Sequence, residues 1–391
     1  MTEPFLPYAK QSINTADMKA VSAALSSDII TRGPKVEAFE RAMAEYCQAD
    51  YAVAFNSGTS ALMATYFAAR ISVHDRVIST PNSFIATIGA AIQLGVMPHF
   101  IDIDRATGSL DINKLQTKLD FYSTRGRVVV LPVHFAGMAV DMMALRSLLD
   151  AHPNAIIIED AAHALGSFYP NGQRVGCCAH SDMTIFSFHP AKTITTGEGG
   201  LVTTNQPELY QRLLLYRNNG IVREGSLLKH PEKAHLGYYE VQAVTGGFHL
   251  TEMQAALGLN QLSRIESFIT KRRKLTELYR KELQNIPYLR LFSEQATSYT
   301  AWHLCVVQID FSQYKTCREN FMDELRKRGI GTQVHYIPLY CHPVYKKGNQ
   351  GDCPEMDIYN QQALSLPLYY DLKEAEVKRV CQQLKALLTI S

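Results

Sequence analysis

The sequence predicts an α/β protein: an N-terminal arm and a large domain built on a mainly parallel seven-stranded sheet over 1–250, then a smaller α+β domain over 251–391. Three observations predict it. Seven short apolar runs alternate with helical segments between residues 51 and 204, a long helical pattern opens at Thr251, and a second set of strand and helix patterns follows Pro287. With 391 residues, of which 46% are apolar, the chain has material for two cores.

The arm carries a predicted helix from Thr15 to Leu25, a turn at Thr31-Arg32-Gly33-Pro34 and a second helix from Val36 to Tyr46. The strand candidates are YAVAF (51–55), RVIS (76–79), MPHFIDI (97–103), RVVVLPV (127–133), AIIIED (155–160), MTIFSF (183–188) and GLVTT (200–204). Helices at roughly 59–70, 83–94, 111–120 and 141–150 intervene, which predicts parallel crossovers with helices on both faces. Ligands of such sheets bind beyond the carboxyl ends of the strands. The polar stretch 205–250 has no clear period. From Thr251 one long helix is predicted as far as Gln284, and its KRRK at 271–274 reads as a solvated face. A strand at 301–310, a helix from Thr316 to Arg328, a strand at 331–337 and a final helix from Lys373 to Leu388 complete the smaller domain.

Charge excludes some classes of function. Charged residues make up 19% and the net charge is +2, which gives no nucleic-acid surface and no acidic tail. The start MTEPFLPYAKQ has neither a basic run nor an apolar core, and no segment approaches the roughly 18 apolar residues of a membrane span, so the expectation is a soluble cytoplasmic protein. The eight cysteines lack CxxC spacing and read as free thiols. Cys341 beside His342 has no second ligand pair, so no metal site is expected.

Chemistry concentrates in FSFHPAKTITTGEGG (186–200), where Lys192 lies between an apolar strand stopped by Pro190 and a turn permitted by Gly197, Gly199 and Gly200. Desolvation there lowers an ammonium pKa, and a neutral amine attacks carbonyls, so the setting suits a Schiff-base lysine. The bland alternative is a surface lysine in a hairpin. Asn56-Ser57-Gly58-Thr59-Ser60-Ala61-Leu62 follows a strand and opens a helix, offering amides and the Thr59 and Ser60 hydroxyls as a phosphate cup; a plain N-cap turn reads the same way. It is neither a GxxxxGK[ST] loop nor a GxGxxG loop. Glu159-Asp160-Ala161-Ala162-His163 ends a buried strand, where an acid needs a partner, and a protonated pyridine nitrogen would be one. Asp160 as an N-cap and His163 as a core histidine are the alternatives. Ser187 and Phe84 stand nearby in sequence motifs and need no special role when read alone.

Together the blocks SGTSAL, PNSFIAT, VHFAG (133–137), EDAAHALG (159–166), FSFHPAKTITTGEGG and VHYIP (334–338) resemble the pyridoxal-phosphate sugar aminotransferases of the DegT/DnrJ/EryC1/StrS family, over essentially the whole chain. VHFAG, SFHPAKTITTGEGG and VHYIPLY are most similar to UDP-4-amino-4,6-dideoxy-N-acetyl-altrosamine transaminases of pseudaminic acid synthesis. The resemblance implies the type I aminotransferase fold and pyridoxal 5'-phosphate as cofactor. It implies that Lys192 forms the imine link and shuttles protons, that Asp160 meets the pyridine nitrogen, and that Ser57, Gly58, Thr59, Ser60 and Ser187 surround the phosphate. Phe84 and His163 would flank the ring, with His163 counted among the catalytic residues. Tyr8, the segment Asp28, Ile29, Ile30 and Thr31, and His335 with Tyr336 would line the sugar-nucleotide site. The implied substrates are a nucleotide-linked 4-keto-6-deoxy sugar and glutamate, and the implied assembly is a homodimer with shared active sites.

One stretch departs from the family pattern. Relatives carry a GYNYRM-like segment whose asparagine reaches the neighbouring subunit's phosphate; here Gly247 replaces that asparagine and His249 an arginine. This departure is the only feature favouring a cofactor-binding regulatory protein without turnover. Related dehydratases replace the lysine by histidine, and this chain keeps Lys192.

Overall fold

The structure, a computed structural model, describes residues 4–291, 299–345 and 352–388. Seven strands make the central sheet: Tyr51–Phe55, Arg76–Ser79, His99–Phe100, Val128–Leu131, Ile156–Asp160, Met183–Ser187 and Gly200–Thr204. Named by first residue, their order across the sheet is 51, 200, 183, 156, 128, 76, 99. The four pairings from 183 to 99 are parallel. Gly200–Thr204 runs antiparallel to both of its neighbours.

Alternation along the strands sends residues to two apolar layers, which is why the runs are mostly apolar along their length. Val53 and Phe55 pack with helices Gly58–Ala68, Ala86–Gln93 and Pro207–Arg217. Ala52 and Ala54 face the other way, towards helices Pro34–Cys47, Ile112–Ser123 and Met142–Leu149. A further core gathers Trp302, strand Cys305–Ile309, strand Ala363–Leu366 and the apolar faces of helices Arg318–Lys327 and Glu374–Leu387. Helix Ile265–Leu283 joins the two regions: Ile265, Phe268 and Ile269 pack towards the large sheet, and Leu275, Tyr279 and Leu283 towards the smaller one.

Five stretches depart from the sequence expectations. The helical pattern from Thr251 is two helices, Glu252–Leu262 and Ile265–Leu283. Buried Asp17 accepts from Asn260 Nδ2 (2.5 Å), Gln261 Nε2 (2.9 Å) and Arg264 Nη2 (2.5 Å), fastening the arm helix Thr15–Leu25 to that break. Residues 331–337 are not a strand. Their backbone pairs with the smaller sheet at Gln333 and Ser365, and the His335 ring meets the Ser365 hydroxyl (2.8 Å), while the Tyr336 amide donates to Asn82 Oδ1 (3.1 Å) and, just beyond the segment, the Leu339 amide to the Pro81 carbonyl (3.0 Å). Of 97–103, only His99–Phe100 joins the sheet, while Ile103–Asp104 turns away to pair with Ser109–Leu110. The stretch 205–250 contains helix Pro207–Arg217, and helix Pro354–Gln362 precedes the unexpected strand Ala363–Leu366.

Candidate active site

Strands 156–160 and 183–187 lie side by side and parallel, so their carboxyl ends deliver Asp160 and Ser187 to the same edge of the sheet. The loop after Ser187 brings Lys192 back over that edge before the chain returns as strand 200–204. Helix Gly58–Ala68 begins beside it. A Cβ on Gly58 would lie 3.0 Å from the Ser187 Cβ, so glycine lets the helix start approach the strand end.

These ends enclose a cavity of about 570 Å³. Among the sequence-expected residues, Tyr8, Ser57, Gly58, Thr59, Phe84, Asp160, His163, Ser187, Lys192, His335 and Tyr336 line it. Ser60 does not. Its hydroxyl is turned into a capping box, donating to Asn56 Oδ1 (2.6 Å) and accepting from the Ser57 amide (3.1 Å), while Ser57 Oγ receives the Ser60 amide (3.1 Å). Thr59 and Ser187 are left as the hydroxyls beside the helix start. Asp28, Ile29, Ile30 and Thr31 are exposed and stand outside this chain's own cavity, held by an Ile30 carbonyl bond to the Glu252 amide (3.1 Å).

Lys192 is closely surrounded yet keeps some contact with cavity solvent. Burial pulls its ammonium down to about 8, against the opposing attraction of Asp160. Asp160 accepts from Thr87 Oγ1 (2.6 Å) at Oδ2 and from the Ala162 amide (3.1 Å) at Oδ1, and Thr87 in turn touches Ser83 Oγ (2.5 Å). His163 forms the opposite wall. The Ala136 amide can only donate, so its contact with His163 Nδ1 (3.4 Å) makes that nitrogen the acceptor. The neutral ring therefore carries its proton on Nε2, which donates to the Tyr336 hydroxyl (3.1 Å). Burial first, then Lys192 and His335, hold His163 well below the ordinary histidine range, and burial with Lys192 pulls His335 down to about 3. These rings stay neutral, leaving Lys192 as the titrating cation among them. A second hollow of about 580 Å³, lined by Arg32, Arg217 and His249 among others, has neither Lys192 nor Asp160, so size alone does not select the site.

The donor set fits pyridoxal phosphate. An amine that deprotonates near neutrality, a buried carboxylate that would pair with a pyridine nitrogen, an aromatic wall and a helix start with two hydroxyls suit its aldehyde, ring and phosphate in turn. A family model described as the DegT/DnrJ/EryC1/StrS aminotransferase family matches residues 11–385. The chain belongs to that family. It is 35% identical over 385 residues to the Campylobacter jejuni UDP-4-amino-4,6-dideoxy-N-acetyl-beta-L-altrosamine transaminase, covering 98% of this chain and 97% of the relative. Helicobacter pylori PseC, an aminotransferase of pseudaminic acid biosynthesis, superposes with a TM-score of 0.89 at 28% identity, covering 98% of this chain and 99% of PseC. Streptococcus pneumoniae Spr1654, solved in PLP and PMP forms, matches with a TM-score of 0.87 at 25% identity over 98% of this chain and 98–99% of its own. This aminotransferase is a pyridoxal-phosphate enzyme that acts on a sugar. Among the described residues no helix is long and apolar enough to cross a membrane.

Among the cavity residues that sequence reasoning missed in this aminotransferase are His303 and Thr87. His303 lies in an apolar strand pattern with nothing to single it out; its ring is 4.3 Å from that of His163. Thr87 was visible only as the last letter of PNSFIAT, since its bond to Asp160 spans 73 positions. A pH dependence follows from Lys192. The attacking form is the neutral amine, so the rate at which apoprotein captures the cofactor rises with pH and levels off above about 8, falling about tenfold per unit below it. An ordinary lysine would still be gaining rate near 10. Stopped-flow absorbance across pH 6–10 distinguishes the two.

Proposed function

We propose that the cavity transfers an amino group from glutamate to a nucleotide-linked 4-keto-6-deoxy sugar, with UDP-2-acetamido-2,6-dideoxy-hexos-4-ulose the favoured acceptor, in the making of a pseudaminic-type acid or another surface glycan in the cytoplasm. The observation that carries this reading is Lys192 sharing one cavity with Asp160 and with Thr59 and Ser187. The bound cofactor supplies an electron sink that stabilises negative charge on the carbon losing its proton. Lys192 would hold the cofactor covalently and, as a neutral amine, would be the group that carries a proton to and from the substrate carbon. Asp160, fixed by Thr87 and the Ala162 amide, would pair with the pyridine nitrogen. Thr59 and Ser187 would hold the phosphate beside the Gly58 helix start. His163 and Phe84 would flank the ring, and Tyr8, His335 and Tyr336 would line the sugar side.

The reading includes a homodimer. Leu236 and Val244 are fully exposed, and Ile29, Ile30, Tyr239 and Val241 are largely so, an apolar surface that favours cover by a second copy. Asp28 to Thr31 would then line the neighbour's cavity instead of their own. His249 supplies no charge there, since burial, then Arg217 and Arg32, pull it down to about 4 and its Nε2 meets Asn218 Oδ1 (3.2 Å). Sedimentation of the holoenzyme tests the assembly; a monomer at micromolar concentration would remove the shared-site part of the reading.

The test of the chemistry is an absorbance spectrum of the holoprotein. Glutamate should bleach the visible band, and the 4-keto UDP-sugar should restore it. A band inert to every amino donor would overturn the reading. Discrimination between keto sugars differing by one methyl or hydroxyl is expected at about 10–200-fold in kcat/KM; a higher kcat/KM with another keto sugar nucleotide would move the acceptor assignment while leaving the reaction type in place.

A further inference from the structure

Behind the cavity wall, on the opposite face of strand Ile156–Asp160 from Asp160, lies a carboxylate that the reaction does not touch. Glu159 is completely enclosed and accepts at both oxygens: Oε2 from His134 Nε2 (2.7 Å) and Tyr169 Oη (2.5 Å), Oε1 from Thr184 Oγ1 (2.9 Å) and the Ser181 hydroxyl. The His134 tautomer is determined by its other nitrogen, since the Val140 amide donates to Nδ1 (3.0 Å) and Nε2 must then carry the proton. His134 is itself fully buried, and its ring has no route to the cavity's ligands.

The pair acts on the site through the backbone. The His134 amide donates to the Asp160 carbonyl (3.0 Å), the Asp160 amide donates to the Pro132 carbonyl (2.9 Å), and the turn that follows presents the Ala136 amide to His163 Nδ1. That turn is strained, with Ala136 at φ 57°. A strained turn keeps its shape only where its surroundings over-determine it, and the Glu159 to His134 bond fastens its first residue to the strand carrying Asp160. We propose that Glu159 and His134 are a positioning pair that sets Asp160 and His163 relative to each other, so that both faces of the cofactor site are held by one buried carboxylate. This rests on the assignment of Asp160 and His163 to the cofactor ring.

The test is Glu159→Gln in the holoenzyme, with His134→Gln and His134→Leu beside it. The amide of Glu159→Gln places a donor where every neighbour is a donor, while His134→Gln can still donate to Glu159 and His134→Leu cannot. Expected results are a loss in kcat of at least about tenfold, and up to the order of 10²-fold, for Glu159→Gln and His134→Leu. KM for the amino donor should change little, the pH midpoint of the visible cofactor band should shift, and His134→Gln should recover most of both. If Glu159→Gln lowers the melting temperature but leaves band titration and kcat as in the parent, the pair is only structural and the proposal fails. Should Glu159→Gln not fold, the contrast between His134→Gln and His134→Leu decides alone: equal kcat and equal titration overturn it. Asp160→Ala separates this failure from that of the underlying assignment, because a normal cofactor spectrum in Asp160→Ala would unseat the ring assignment itself.

Discussion

Lys192→Ala is expected to abolish transamination while leaving the protein folded. General acid–base help alone contributes about 10²–10⁴-fold, and this substitution also removes the covalent anchor, so the loss should exceed that range. The fold should tolerate the change because the Lys192 side chain makes no hydrogen bond that fastens one element to another; its surroundings lower its pKa, which means that burying the ammonium works against folding. The linkage has a definite sign. Between about 8 and the ordinary lysine value the unfolded chain binds more protons than the folded one, so stability of the parent apoprotein rises with pH across that window, and Lys192→Ala should flatten the rise. The measurement is paired: turnover with glutamate and the keto sugar, and melting temperature of the apoproteins at pH 7 and pH 10. Turnover near the parent level in Lys192→Ala would sink the assignment of the covalent partner. A variant that is inactive and also unfolded would be replaced by Lys192→Arg, which keeps the charge but, with a guanidinium that stays protonated, cannot supply a neutral amine.

The large sheet was legible because its strands are short, mostly apolar runs bounded by turn residues, a pattern that follows from burial on both faces. Its order was less so: the antiparallel placement of Gly200–Thr204 depends on the loop 188–199 folding back on its own strand. The break at Ser263 and Arg264 left no mark in the helical period because its cause, Asp17, lies 243–247 positions away. Segment 331–337 looked like a strand by composition, yet its amides go to scattered partners: Gly331 to the Leu6 carbonyl, Gln333 to the Ser365 carbonyl and Tyr336 to Asn82 Oδ1 of the large domain. At the site, Lys192, Asp160 and the Ser57 to Thr59 cup were readable because each sits at a strand end flanked by small residues. Ser60 does not line the cavity, and the reason is local: a hydroxyl at the third helical position serves equally as a cap or as a phosphate donor, and in this structure it bonds Asn56 and Ser57. The 28–31 segment carries no pattern that says it stands outside this chain's own cavity.

Asp160→Ala should be the second most damaging change, by a route different from that of Lys192→Ala. On the proposed reading Lys192 would supply the moving amine, and Asp160 a carboxylate that keeps the cofactor's ring nitrogen protonated. Removing one member of a buried charge pair costs about 3–5 kcal/mol, on the order of 10²–10³-fold or more, because the remaining charge is left without its partner. The loss should therefore be visible twice, as a lower kcat in both half-reactions and as weaker retention of the cofactor on dialysis, with the covalent attachment to Lys192 still formed. Thr87→Val is the graded comparison. It keeps the carboxylate but removes its 2.6 Å hydrogen bond from the Thr87 hydroxyl, and should lower kcat by about tenfold, the worth of one bond to a charged group. If Asp160→Ala lowers kcat no more than Thr87→Val does, the carboxylate is a packing element at the end of strand 156–160, and the ring nitrogen must find its partner elsewhere in the cavity, where the neutral His163 and His335 have no charge to offer.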